Sequence, residues 1–153
     1  MVRWFEFASA APELAEAGRS LLNQFGVGLA FLATVRADGA PRLHPVCPVL
    51  SGDGLFVLIT LTSPKRGDLL RDGKYALQTF PQPKAGSDEF YVAGRAVPID
   101  DPETRAAVLR DARHMADESE TCFELLIDRV MHTRWENVLT PQMRPVQLKW
   151  RAP

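Results

Sequence analysis

Apolar residues in this chain come in short runs, cut apart by Gly, Pro, Asp and Ser, and the period within each run predicts its element. Pro12 followed by ELAEAGRSLLNQF spaces Leu14, Ala17, Leu21 and Phe25 at helical intervals. That spacing predicts a short amphipathic helix, ended by Gly26. Residues 27–36 (VGLAFLATVR) are apolar on both faces and predict a first strand. Asp38-Gly39 then gives a strong hairpin turn. In residues 42–50 (RLHPVCPVL) alternation sets Leu43, Cys47 and Val49 against Arg42, His44 and Val46. Pro45 and Pro48 confine this second strand to a sheet edge or a bulged course.

SGDG at 51–54 is a second turn, leading into a third strand, LFVLITL. A helix opens at Ser63, with Pro64 in the first helical position, where its missing N–H is not needed. KYALQTF at 74–80 and DEFYVAGRAVPI at 88–99 read as strands four and five, with a loop at 81–87 between them. Asp101-Pro102-Glu103 starts a helix of roughly fifteen residues carrying Val108, Leu109 and Ala112 inward. The stretch 121–136 is β-rich in its middle, and RPVQLKW supplies a last strand. Strands outnumber helices and arrive as hairpins. The pattern therefore predicts a mainly β (α+β) fold, a six-stranded antiparallel split β-barrel with flanking helices, in one domain over 1–153.

The start of the helix at Ser63 is chemically unusual. Its first turn carries Lys65 and Arg66, where a helix N-terminus already presents about half a positive charge. Two cations there cost roughly 0.3–1 kcal/mol each unless an anion faces them. If strand two is regular, Arg42 and His44 share a face about 6.5 Å apart. A hairpin between strands two and three then brings Arg42 and His44 toward Thr60, Thr62, Ser63, Lys65 and Arg66. Arg grips phosphate with a planar fork and Lys acts as a mobile point charge. This is a kit for a phosphorylated cofactor. The plainer alternative is a set of solvated cations.

Composition narrows the field. Eighteen basic and nineteen acidic residues leave a formal charge of −1, so no global field favours nucleic acid or an anionic membrane. No apolar run approaches a membrane span, and the N-terminus does not read as a signal peptide, so the expectation is a soluble, cytoplasmic chain. Cys47 and Cys122 are too few for a disulfide framework and lie in no metal-binding spacing. The default is that both are small buried hydrophobes. His114 reads as a solvated helix residue, and His132 and Trp135 as members of a packed strand pair. No Ser-His-Asp set, paired-carboxylate motif or phosphate loop is visible.

Three blocks in order, FLATVRADGAPRLHPV, GLFVLITLTSPKRGDLLRDGKYALQTF and EFYVAGRAVPIDDPETRAAV, with a closing LKW, resemble the pyridoxamine 5′-phosphate oxidase-like, flavin-binding split barrels. The resemblance covers roughly residues 27–110. It implies a homodimer with flavin mononucleotide (FMN) at the subunit interface. By position, Arg42 and Lys65 would hold the flavin phosphate with Ser63 nearby, and Ile59 and Thr60 would line the ring. Trp135 would stand for the aromatic that reaches a flavin from the second subunit. Glu89 replaces a glutamine of the oxidases, and Pro64 replaces a second basic residue, for which Arg66 is the candidate substitute. The oxidases' C-terminal Arg-x-His signature is absent, which argues against pyridoxamine phosphate as substrate.

The resulting expectation is a flavin-dependent oxidoreductase passing hydride or electrons to a small molecule. A deazaflavin coenzyme is a variant, suggested by fourteen arginines against four lysines, with Arg66, Arg71 and Lys74 as extra cations for its acidic tail. The alternative from another class is a non-catalytic flavin- or haem-binding module.

Overall fold

The computed structural model describes residues 1–113 and 116–153, and His114 lies outside them. Its eight strands are β1 (Ala30–Val35), β2 (Pro41–Val46), β3 (Val49–Ser51), β4 (Gly54–Ile59), β5 (Lys74–Thr79), β6 (Glu89–Pro98), β7 (Thr121–Glu136) and β8 (Arg144–Arg151). They join in one antiparallel sheet of order β2-β1-β5-β6-β7-β4-β3, with β8 paired to β7. Four helices flank it: α1 (Trp4–Ala10), α2 (Pro12–Leu22), α3 (Pro64–Arg71) and α4 (Pro102–Asp111). The fold is the expected α+β split barrel, with eight strands in place of six.

The main departure is in strand two. It is not one strand but two, β2 and β3, parted by Cys47 and Pro48. These halves stand at opposite ends of the sheet order, yet two residues join them. The sheet must therefore curl until its two edges nearly meet, which makes it a split barrel. Proline explains the break, since Pro45 and Pro48 supply no N–H to a ladder. The expected hairpin between strands two and three survives only in β3–β4, with Val49 opposite Phe56. β2, which carries Arg42 and His44, pairs with β1, His44 opposite Leu32 and Arg42 opposite Thr34.

Helix boundaries also shift. Pattern reading missed α1, which buries Trp4 and Phe7 and is fixed by the Arg3 amide donating to the Glu6 carboxylate at 2.7 Å. In α2 the buried positions are Leu14, Ala15, Gly18 and Leu22, while Phe25 lies beyond the helix and is 43% exposed. Gly18 fits because Phe90 and Trp4 occupy the space a Cβ would need. α4 is ten residues long and not fifteen. Ser63 sits at the N-cap of α3 without a side-chain cap bond.

Two apolar clusters place the helices. Leu32, Leu77, Val92 and Leu125 fill the barrel, with Phe7 and Leu22 closing it from α1 and α2. A second cluster of Val49, Phe56, Val108, Ala112 and Cys122 seats α4 on β3 and β4. α3 contributes Leu69 to the first cluster and is held in addition by charge. Asp68, 5% exposed, accepts from Arg42 Nε at 2.7 Å and from Thr34 Oγ1 at 2.9 Å. Arg71 also reaches Asp68 Oδ1 at 3.4 Å and donates to the Val35 carbonyl. One carboxylate thus ties α3 to β1 and β2.

Burial alone would raise the Asp68 carboxyl, but the bonds from Arg42 and Thr34, with the field of Arg42, overcome it and hold the group below its ordinary 3.8. A depressed carboxyl stabilises the fold above its unfolded value, and that stability drains as pH falls through the folded one. Removing the buried partner strands Arg42, so Asp68→Ala should lower unfolding free energy by about 3–5 kcal/mol in urea titrations at pH 7. The difference from the parent should shrink as the pH is taken below 3.8.

Candidate functional site

A cavity of about 550 Å³ opens where the β2–β3 break meets the end of β4, the segment entering β1, the start of α3 and the end of α4. Its size is that of a small-molecule or cofactor site. Each wall follows from a local feature of the sequence. Ladder pairing stops at Cys47 and Pro48, where the chain turns from β2 into β3, and Pro45, Val46, Cys47 and Pro48 present themselves to the cavity. Gly28 lets the strand entering β1 pass under that bend, since a Cβ there would lie 1.9 Å from the Pro48 carbonyl oxygen. Leu58, Ile59 and Thr60 contribute the end of β4.

Of the residues expected to gather, the structure brings Ile59, Thr60 and Lys65 together on this cavity. Lys65 is half-buried, and burial in the wall draws its ammonium below its ordinary value while the Glu120 carboxylate opposes the shift. Among the described residues none forms an ion pair with it. A cation that burial disfavours gains from an anionic ligand.

The others lie elsewhere. Arg42 is bound to Asp68, and Arg66 Nε donates to Thr121 Oγ1 at 2.6 Å. Arg71 is likewise engaged by Asp68, and Lys74 by Asp72 at 3.3 Å. His44 is half-buried on edge strand β2, Thr62 is exposed, and Ser63 is half-buried before α3; none of these lines the cavity. Trp135 packs near Gly86 at the far end of β7. His132 is buried, with Nε2 3.2 Å from Asp88 Oδ2. Glu89 opens β6 opposite Thr133.

Sequence reading missed Asn23, Cys47, Arg110, Arg113 and Glu120, all on the cavity wall. Three of them come from α4 and the segment after it, brought in by the second apolar cluster, a placement that no local pattern encodes. Cys122 fits the buried default, its thiol pushed up to about 11 by desolvation. Cys47 does not, because it is half-buried and faces the cavity. Among the described residues no cluster of His, Cys, Asp or Glu could hold a metal ion. The arrangement offers an apolar wall for a flat ring and cations for an anionic group.

The fold and cavity define a split barrel of the pyridoxamine phosphate oxidase-like class. Residues 14–134 match the family described as pyridoxamine 5′-phosphate oxidase, and the chain belongs to that family. Among curated proteins no sequence matches it. Among solved structures it is similar to a haem-binding protein from Mycobacterium smegmatis (19% identity, TM-score 0.62, covering 85% of this chain). The match spans 57% of that protein's length. It is also similar to a putative 5-nitroimidazole antibiotic resistance protein from Bacteroides thetaiotaomicron (14% identity, TM-score 0.65, 88% of this chain and 85% of that one). A third is HutZ, the haem storage protein of Vibrio cholerae (16% identity, TM-score 0.60, 77% and 89%). Identities this low speak for the fold.

Gly28 provides a test of the cavity's construction. Gly28→Ala should destabilise the protein by about 1–3 kcal/mol, because backbone must move on backbone. Gly67→Ala, in α3 with nothing within 4 Å of the new Cβ, should stabilise by about 0.5–1 kcal/mol. Thermal unfolding of the two variants beside the parent checks both signs.

Proposed function

We propose that the cavity holds FMN and that the protein is a flavin-dependent oxidoreductase acting on a small molecule other than pyridoxamine phosphate. The observation that carries this reading is Lys65, a half-buried ammonium at the start of α3 on the wall of a cavity that also presents the apolar side chains of Val46, Leu58 and Ile59. Lys65 and the amides opening α3 would bind the phosphate. Leu58, Ile59 and the bend at 45–50 would flank the ring and exclude water. The flavin, when bound, supplies the redox chemistry, so the chain needs no nucleophile–base pair of its own. A deazaflavin has less support, because Arg66, Arg71 and Lys74, the cations expected for its tail, are all engaged elsewhere.

A homodimer accompanies this reading. On the outer sheet face, register pairs Phe31 with Pro45 and Ala33 with Leu43 and Ala76. Leu43 is 62% exposed, and Phe31 stacks on Phe80 at 4.2 Å between ring centres. An apolar outer face of this kind suits a second copy. No helix among the described residues is long and apolar enough to cross a membrane.

A second reading, a non-catalytic haem-binding module, draws on the fold neighbours described as haem-binding and haem storage proteins. Absorbance titration of cofactor-stripped protein with FMN, a deazaflavin and haemin separates the readings. Saturable binding of FMN at micromolar levels or tighter is expected, and binding of haemin alone would transfer the cavity to the second reading. Lys65→Ala should weaken FMN binding roughly ten- to a hundredfold, the equivalent of a charge-assisted phosphate bond of about 1.5–3 kcal/mol. Unchanged affinity in that variant would refute the phosphate assignment.

A further inference from the structure

Arg113 occupies a backbone position that glycine ordinarily fills. α4 ends at Asp111, Ala112 caps it by donating to the Val108 carbonyl at 2.9 Å, and Arg113 follows with φ of 51°. A left-handed residue just past a helix cap is usually Gly, which adopts that conformation freely, whereas a side chain there is strained. Capping the helix calls for the conformation and not for an arginine.

The side chain accounts for the exception. Arg113 Nη1 reaches the Gly26 carbonyl at 3.5 Å, joining the end of α4 to the segment entering β1. Both residues line the cavity, as does Arg110 one turn earlier on α4. Arg113 is exposed, and the long contact to Gly26 leaves most of its donors free. The other charged groups on the wall are Lys65, Asp111 and Glu120, and the field of Glu120 falls on Lys65. The cavity thus has cations from two unconnected parts of the fold, α3 on one side and the end of α4 on the other.

We propose that Arg113, with Arg110, forms a second anion-binding end of this cavity, and that it receives a carboxylate or phosphate. The inference rests on reading the cavity as the ligand site, and adds a chemical class to what binds there. The anion has two sources that present the same chemistry: an acidic substrate that enters beside FMN held on Lys65, or the phosphate of FMN lying the other way round in the cavity.

Arg113→Gly tests this without risking the fold, since it relieves the strained backbone and should leave the thermal midpoint equal or higher. The probes are FMN, 4-nitrobenzoate and its neutral analogue 4-nitrobenzamide, titrated into cofactor-free and FMN-loaded protein. The parent should prefer the carboxylate over the amide at least tenfold, and Arg113→Gly should abolish that preference while Lys65→Ala keeps it. If FMN affinity stays within twofold in Arg113→Gly, the anion belongs to the substrate. If FMN binding falls tenfold or more, the anion belongs to the cofactor. An absent preference in the parent, with FMN affinity also unchanged in Arg113→Gly, overturns the proposal, as does a preference that follows Lys65. Failure of FMN to bind the parent would count against the flavin reading alone, because the carboxylate comparison on cofactor-free protein still decides the role of Arg113.

Discussion

A buried carboxylate on α3 collects a hydroxyl from β1, a guanidinium from β2 and a second guanidinium from its own helix. Ionised Asp68 has little contact with water, so it must be fully partnered, and α3 is drawn onto the sheet to achieve this. Two consequences reach the cavity. The first is withdrawal, because Arg42 neutralises Asp68 and is no longer available to a ligand. The second is placement, because Lys65 lies one helical turn before Asp68 and is fixed in the cavity wall by the same anchor. The cation that α3 presents to the cavity is thereby one ammonium, Lys65.

The cavity itself depends on covalent constraints more than on packing. Two prolines stop strand pairing at 47–48, the chain crosses between sheet edges in those two residues, and a glycine beneath them permits the close passage. What results is a concave wall of apolar side chains and backbone that a planar molecule could lie against. α4 completes it from outside the barrel. Its seat on β3 and β4 is purely apolar, through Val108 and Ala112 against Val49, Phe56 and Cys122. Two energetically distinct anchors, an ion-pair cluster and an apolar patch, therefore present cations to one space from opposite directions.

Much of the fold could be read from the sequence because its signals are local. Asp38-Gly39, the Gly52-Asp53 turn and the period-two runs place the strands to within a few residues, and Pro102 after Asp101 starts α4 where expected, with Asp101 accepting from the Thr104 amide at 2.8 Å. The misses have physical causes. Trp4 and Phe7 fall at helical spacing, but α1 is seven residues long and helical only because it packs on Phe90 and Trp150. Strand two was expected whole because alternation continues across Cys47-Pro48, although pairing does not. Lys65 was legible as a misfit at a helix start. Arg42 looked equally suited to a phosphate, and only the register that sets it against Thr34 and Asp68 shows otherwise. Arg113 gave no such signal, because the expected helix ran past it and only the observed end of α4 at Asp111 reveals its left-handed backbone.

We propose that FMN occupies this cavity with its phosphate on Lys65 while Arg42 stays with Asp68. A crystal structure of the protein grown with FMN tests it most directly. The expected result is flavin density between the bend at 45–50 and Leu58–Thr60, a phosphate oxygen within hydrogen-bonding distance of Lys65 Nζ, and the Arg42–Asp68 pair intact. A flavin phosphate seated on Arg42, with Asp68 released and the cavity empty of flavin, would contradict it.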